Sequence, residues 1–196
     1  MINSREDYKY YLEADRIALG KPHYSIREYI KAIATRELIW EFQRSLRKAE
    51  YYKNVAAKKT IFRKFSYLFV KHRFKNLSLK LGFSIPENVF GPGLAIVHHG
   101  TIVVNGSAKV GANCRIHVCT NIGGSGGSPG CPQIGDNVYI GPGAKIFGNI
   151  TIASNCAISA NAAVNRSIEE EGMLIAGVPA KAIKPIDIKT IIKHIA

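Results

Sequence analysis

The sequence predicts a mainly β protein, a parallel coil of short strands preceded by a basic α-helical region. Two observations carry that prediction: aliphatic residues return every sixth position through the second half of the chain, and helical spacing of apolar residues is confined to the first half. Charge divides the same way. Residues 1–82 hold 19 basic and 8 acidic side chains, whereas residues 83–196 hold 8 and 6. With 196 residues in all, one large domain with a helical extension has enough chain to bury a core.

Residues 1–82 read as helices. Ser4 followed by Asp7, and Ser25 followed by Glu28, have the spacing of capping boxes. Ile26, Tyr29, Ile30 and Ile33 keep the i, i+3, i+4, i+7 spacing of one helical face. A second such stretch carries Leu38, Ile39, Phe42 and Leu46, and a third carries Phe62, Phe65 and Phe69, aromatics expected to pack. The positive surplus of this half fits an anionic partner or simply a solvated helix surface, and its sign alone does not choose. Because acids alternate with the basic residues and no recognised nucleic-acid motif is present, no nucleic acid is expected.

The opening MINSREDYKYYLEADR is charged throughout and has no apolar h-region, so a secretory signal is not expected. Nor does the chain contain the long uncharged apolar run of a membrane-spanning helix. Cys114, Cys119, Cys131 and Cys156 show no CxxC spacing, which fits a reduced, cytoplasmic protein.

Between Leu81 and Ser84 the composition changes, charges becoming sparse while Gly, Val, Ile, Ala and Asn take over. The chain therefore divides into a basic α-helical region (1–82), a coil domain (83–184) and a short C-terminal strand, helix or tail (185–196). Within the coil, Val104, Val110, Ile116 and Ile122 are six apart; after a gap of twelve the register resumes at Ile134, Ile140, Ile146, Ile152, Ile158 and Val164. Four residues after the later members stand Val138, Ala144, Ile150, Cys156 and Ala162. A six-residue period matches neither an α-helix nor a long alternating strand. It fits short strands joined by tight turns, three to a triangular coil, with the aliphatic positions stacked inside.

These hexads resemble those of the left-handed parallel β-helix acyltransferases, and the order of segments is similar to that of serine O-acetyltransferases. The matching pieces are GPGLAIVHHGTIVVN (91–105), NIGGSGG (121–127), IGDNVYIGPGAKIFGNI (134–150) and IAGVPAK (175–181). The resemblance implies acetyl-CoA as acyl donor, no metal, and a homotrimer with the donor groove shared between subunits; whether trimers pair is left open. It also implies a general base just before a Gly-Ile-Val-Val-like strand, a place taken here by His98, ahead of Thr101, Ile102, Val103 and Val104. Histidine suits the task, since an unperturbed pKa of about 6.5 leaves much of it neutral near pH 7. His117, roughly one coil further on, is expected to approach the same cleft, whereas His99 is expected to point away from His98. His23, His72 and His194 lie outside the coils.

The stretch GGSGGSPG (123–130) interrupts the hexads and should project as a loop, either an inert turn or, as in the family, a border of the cofactor thioester at Gly123, Gly124 and Ser125. It lacks the GK[ST] ending of a nucleotide-triphosphate loop. Small residues at Gly143, Ala160 and Ala176 would leave a channel which in the family holds the pantetheine arm, with Lys181 positioned to meet a cofactor phosphate. Zinc, which some β-helix enzymes bind between subunits, is not expected, because no second ligand stands five residues from His117.

The family pattern fails at the acceptor. An aspartate that directly precedes the catalytic histidine is Val97 here, its paired upstream aspartate is Phe83, and the Arg-His pair after the glycine loop is Gly130-Cys131. A zwitterionic amino acid requires an anion and a cation, so these losses favour a sugar or polysaccharide hydroxyl as acceptor, and the basic first half would then sit beside an anionic glycan or a lipid-linked substrate at the inner membrane surface. Asp15, in EADRIALG, resembles a family aspartate that reaches the acceptor, and with Val97 and Cys131 completes the expected acceptor site. Serine O-acetylation in cysteine biosynthesis is the alternative, followed by a non-catalytic scaffold or nucleic-acid binder.

Overall fold

The computed structural model describes residues 1–21, 37–56, 60–127 and 129–195. His23, the capping box at Ser25 and the apolar positions 26, 29, 30 and 33 lie outside them. Three helices come first: α1 (Arg5–Ala18), α2 (Leu38–Asn54) and α3 (Ile61–Leu81). The Ser4 hydroxyl accepts the Asp7 N–H at 2.9 Å, as its spacing predicts, while the Asp7 carboxylate reaches back to the Asn3 N–H at 2.8 Å. Helix α3 starts on a Thr60 cap and stops at Gly82, whose φ of 74° is a left-handed conformation that glycine adopts without penalty.

Val70, Phe74, Leu77 and Leu81 form the buried stripe of α3, and Phe74 meets Phe42 of α2 with ring centroids 5.4 Å apart. The aromatics expected to pack do not. Phe62, Phe65 and Phe69 are 76%, 65% and 72% exposed. At about 100° per residue they fall on the other side of the helix from the buried stripe, so helical spacing alone did not say which of the two apolar faces is covered.

From Phe83 onward the chain winds through three sheets. The first stacks β1 (Phe83–Ser84), β3 (Ile102–Val104), β6 (Thr120–Gly123), β9 (Lys145–Phe147) and β12 (Ala163–Val164). The second stacks β2 (Ala95–Ile96), β5 (Arg115–Ile116), β8 (Tyr139–Ile140), β11 (Ala157–Ile158), β13 (Met173–Gly177) and β14 (Ala180–Pro185), and the third β4 (Lys109–Val110), β7 (Gln133–Ile134) and β10 (Thr151–Ile152). Every pairing is parallel except the closing β13–β14 hairpin. Ile140 lies against Ile158 and Ile146 against Val164, eighteen residues on. Across the coil that carries the glycine loop the offset grows to twenty-four, as in Ile116 with Ile140.

All ten hexad aliphatics are buried, as are Val138, Ala144, Ile150, Cys156 and Ala162. Each coil thus adds one layer of apolar side chains to a continuous stack, whose removal from water stabilises it by about 25 cal/mol per Å². One corner is held by an amide ladder. Asn113, Asn137 and Asn155 take φ of 56°, 56° and 62°, and each side-chain amide donates to the next at 2.9 Å. Asparagine tolerates this left-handed region better than other residues with a Cβ. Ile188 and Ile192, in and after the 3₁₀ turn Ile188–Thr190, pack on Ala157 at the C-terminal end. Among the described residues no helix is long and apolar enough to cross a membrane, and Cys114, Cys119, Cys131 and Cys156 are all free.

Candidate functional site

The coil geometry brings two histidines together. Strand β2 runs into Val97, whose N–H donates to the Ile116 carbonyl at 3.2 Å, so His117 on the next coil stands beside the Val97–His98 segment. The His98 and His117 ring centroids are 5.7 Å apart, and the far side of His117 meets Tyr139 at 5.1 Å. His98 is exposed and His117 half-buried. Burial, and then the charges of Arg115 and His98, lower the His117 pKa below the ordinary histidine value, which keeps its imidazole neutral near pH 7. Its Nε2 is buried and has no hydrogen-bond partner among the described residues, an unusual condition for a buried polar atom.

A cavity of about 540 Å³ opens between the helical region and the second sheet, reached by the chain neighbours of this pair, Val97, His99 and Arg115. Leu38, Trp40 and Val97 supply apolar wall, and His99 also faces it. Among the described residues its charged groups are Lys21, Lys80, Arg115 and Glu37, of which Glu37 and Lys21 pair at 2.7 Å. Arg115 escaped the sequence analysis. The signal was present: it stands two residues before His117, which on an extended segment puts both side chains on one face.

The glycine loop leaves β6 at Gly123 and folds back on itself. A Cβ built on Gly124 would lie 3.3 Å from the Gly130 carbonyl oxygen and 3.7 Å from the Cys131 sulfur, so these residues adjoin. Cys131 is buried at 7% exposure, and Ser125 is half-buried. Gly143 is required by the coil itself: its φ is 77°, and a Cβ there would come within 2.0 Å of Asn161 Oδ1. Ala160 is exposed, and Ala176 pairs across the terminal hairpin with Lys181, which is also exposed. Among the described residues no group of three or more His, Cys, Asp or Glu side chains is placed to hold a metal ion.

Asp15 lies elsewhere from what its resemblance implies. It is fully buried, and its two oxygens accept from Arg47 Nε at 2.8 Å and Nη2 at 3.1 Å, with the Leu94 N–H adding a third bond at 2.9 Å. Burial pushes the carboxyl pKa up, and the Arg47 charge opposes that shift. Arg47 in turn spends its remaining donors on Glu50 and on the carbonyls of Phe90 and Gly91, so all five guanidinium N–H groups are used. Asp15 ties α1 and α2 to the first coil rather than facing a ligand. Phe83 is core as well, 4% exposed and stacked edge-on against Phe42 at 5.0 Å.

The bacterial transferase hexapeptide family, described as six repeats, matches residues 131–166. A serine acetyltransferase of Staphylococcus xylosus is 37% identical over 101 residues, which are 50% of this chain and 46% of that protein. The chain thus spans about half the length of the curated relatives it matches. The crystal structure of Neisseria gonorrhoeae serine acetyltransferase superposes on 92% of this chain and 66% of its own, with TM-score 0.67 and 28% identity. A serine acetyltransferase of Brucella abortus in complex with coenzyme A covers 93% of this chain and 70% of its own, with TM-score 0.67 and 26% identity. These relatives overturn the saccharide acceptor, and polysaccharide biosynthesis with it. That expectation assumed that losing the family's charged residues at Val97, Phe83 and Gly130-Cys131 empties the pocket of charge, whereas cations reach the cavity from other elements. Repeat, fold and relatives agree in kind: the chain is similar to hexapeptide-repeat transferases and, among them, to serine acetyltransferases.

Proposed function

We propose that this protein is an acetyl-CoA-dependent serine O-acetyltransferase. The observation that carries the proposal is the likeness to serine acetyltransferases over 92% of the chain, joined to the His98–His117 pair, whose chain neighbours Val97, His99 and Arg115 line a ligand-sized cavity. His98 accepts the proton of the L-serine hydroxyl, and its oxygen attacks the thioester carbonyl. His117 Nε2 hydrogen-bonds the acceptor, which satisfies the orphaned atom. Backbone N–H groups of Gly123 and Gly124 stabilise the oxyanion; the carbonyl re-forms, coenzyme A leaves as the thiol with a proton returned by His98, and O-acetylserine remains.

The donor lies along Ser125, Gly143, Ala160 and Ala176 with a phosphate at Lys181, and Val97 and Cys131 border the acceptor. We read residues 83–184 as a left-handed β-helix domain, residues 1–82 as its helical companion and 185–196 as a tail, working as a cytoplasmic homotrimer. On α3 the exposed Phe62, Phe65 and Phe69 are accompanied by Lys64, Lys75 and Lys80, and the helix carries no acidic residue. This combination supports peripheral attachment to an anionic lipid surface.

Release of coenzyme A thiol from acetyl-CoA tests the function. We expect turnover that depends on L-serine, and His98→Ala lowers kcat by about 10²- to 10⁴-fold with folding intact. Thiol release that ignores serine, or a His98→Ala variant of normal activity, overturns the proposal.

A further inference from the structure

The family's cation for the acceptor carboxylate is missing after the glycine loop, where Gly130 and Cys131 stand. An amino acid acceptor therefore needs a cation from elsewhere. Among the described residues, the cavity lined by Val97, His99 and Arg115 offers three cations, Lys21, Lys80 and Arg115, against one acid, Glu37. Glu37 is already paired with Lys21 at 2.7 Å, so the balance left over is positive and fits an anion.

Of these, Lys80 is exposed on α3, whereas Arg115 is half-buried in β5, two residues before His117. Strand alternation places the Arg115 side chain on the same outer face as His117, and its charge is among the causes that lower the His117 pKa. Among the described residues its guanidinium makes no ion pair and no hydrogen bond. Arg47 shows what this chain does with a buried guanidinium it uses structurally, for there every donor is bonded. Arg115 is the opposite case, a forked donor set aimed at a cavity and left open.

We infer that Arg115 reads the carboxylate of the amino acid acceptor, taking the place of the arginine that serine acetyltransferases carry after the glycine loop. A guanidinium binds a carboxylate with two parallel N–H···O bonds, and from β5 it holds the acceptor with its hydroxyl toward His98 and His117. The inference rests on the serine acetyltransferase function proposed above. A cofactor phosphate is the other anion that such a cation attracts, and the kinetics separate the two.

The test is steady-state kinetics with L-serine and with L-serinamide, which keeps the hydroxyl and ammonium but lacks the carboxylate, on wild type, Arg115→Ala and Arg115→Lys. In wild type L-serine is the better acceptor. Arg115→Ala lowers kcat/KM for L-serine about 10- to 100-fold, the range of a charged hydrogen bond, leaves L-serinamide nearly unchanged and does not move the KM for acetyl-CoA. Arg115→Lys recovers part of the preference as a point charge. Any change in His117 basicity on removing Arg115 affects both acceptors alike, so the ratio is insensitive to it. Equal loss toward both acceptors, or a raised KM for acetyl-CoA alone, overturns the inference. A wild type inert toward L-serine removes the function itself, whereas an active wild type whose Arg115→Ala variant keeps its preference removes only the role of Arg115.

Discussion

The coils and the helical region are stabilised by different kinds of interaction. In the coils one side chain type is repeated: an aliphatic residue every six positions, each buried over the one before. No single position is special, and the polar ladder of Asn113, Asn137 and Asn155 repeats with the same regularity. The helical region is held by non-repeating contacts: Arg47 joins Asp15 of α1, Glu50 of α2 and the carbonyls of Phe90 and Gly91, and Gln43 bonds the Leu94 carbonyl and the Ile96 N–H. Repetition spreads stability over many equivalent layers, while the helices are attached through contacts that each occur once, among which the buried charge cluster gathers the most bonds on one side chain.

Arg47→Ala is the sharpest way to break this contrast. It leaves the Asp15 and Glu50 carboxylates buried without their cation, and removal of one partner from such a pair costs about 3–5 kcal/mol. Denaturant unfolding should show that loss, with the helical signal leaving before the β signal; a single transition of unchanged midpoint would show that the helices are held by apolar packing instead. Replacing all three charged residues by apolar ones of similar volume should restore most of the stability, since a buried ion cluster is often no better than good packing.

A smaller effect is expected with pH at the histidine pair. The folded pKa of His117 lies below its unfolded value of about 6.5, because burial, Arg115 and His98 all disfavour its protonation. The unfolded chain therefore takes up the proton first. Stability is flat above that unfolded value and declines as pH falls from it toward the folded one. His194 is lowered by burial and Arg115 in the same direction, so His117→Asn should reduce, not abolish, the drop in Tm between pH 7.5 and 5.5. An undiminished drop would assign the slope to other groups.

The smallest change in stability is expected on the exposed side of α3. Phe65→Ser with Phe69→Ser alters side chains that are 65% and 72% exposed, and surface substitutions of this kind usually stay within about 0.5 kcal/mol. The same variant should lose sedimentation with vesicles containing phosphatidylglycerol while wild type retains it. If wild type ignores such vesicles, or if the variant instead changes the oligomer mass, the stripe is a protein interface.

Much of the coil was legible in the sequence because its period is local. Ile134, Ile140, Ile146 and Ile152 announce their burial by spacing alone, and the same register carries His98 and His117 to neighbouring positions. The glycine loop was legible as an interruption of that register. What was not legible has a common cause. Asp15 and Arg47 are 32 positions apart, and no period links them, so a residue in a helix with a family likeness read as acceptor-binding when it is structural. Phe62, Phe65 and Phe69 have helical spacing, yet spacing does not say which apolar stripe of a two-faced helix is covered. Arg115 carried no motif, and only the cavity formed between the helices and β5 shows that its guanidinium is open.

By itself the sequence determined the coil, the place of its interruption and the pairing of His98 with His117 across one turn, because a short repeat dictates which residues stack wherever the strands are parallel and nearly in register. The tertiary structure decided how the helices sit on the coil, which face of α3 is buried, that Asp15 is enclosed by Arg47, and that Arg115 opens into a cavity walled by Trp40 and Val97. Those outcomes depend on contacts between segments far apart in the chain, where geometry and desolvation, rather than local spacing, select among partners that the sequence leaves equally available.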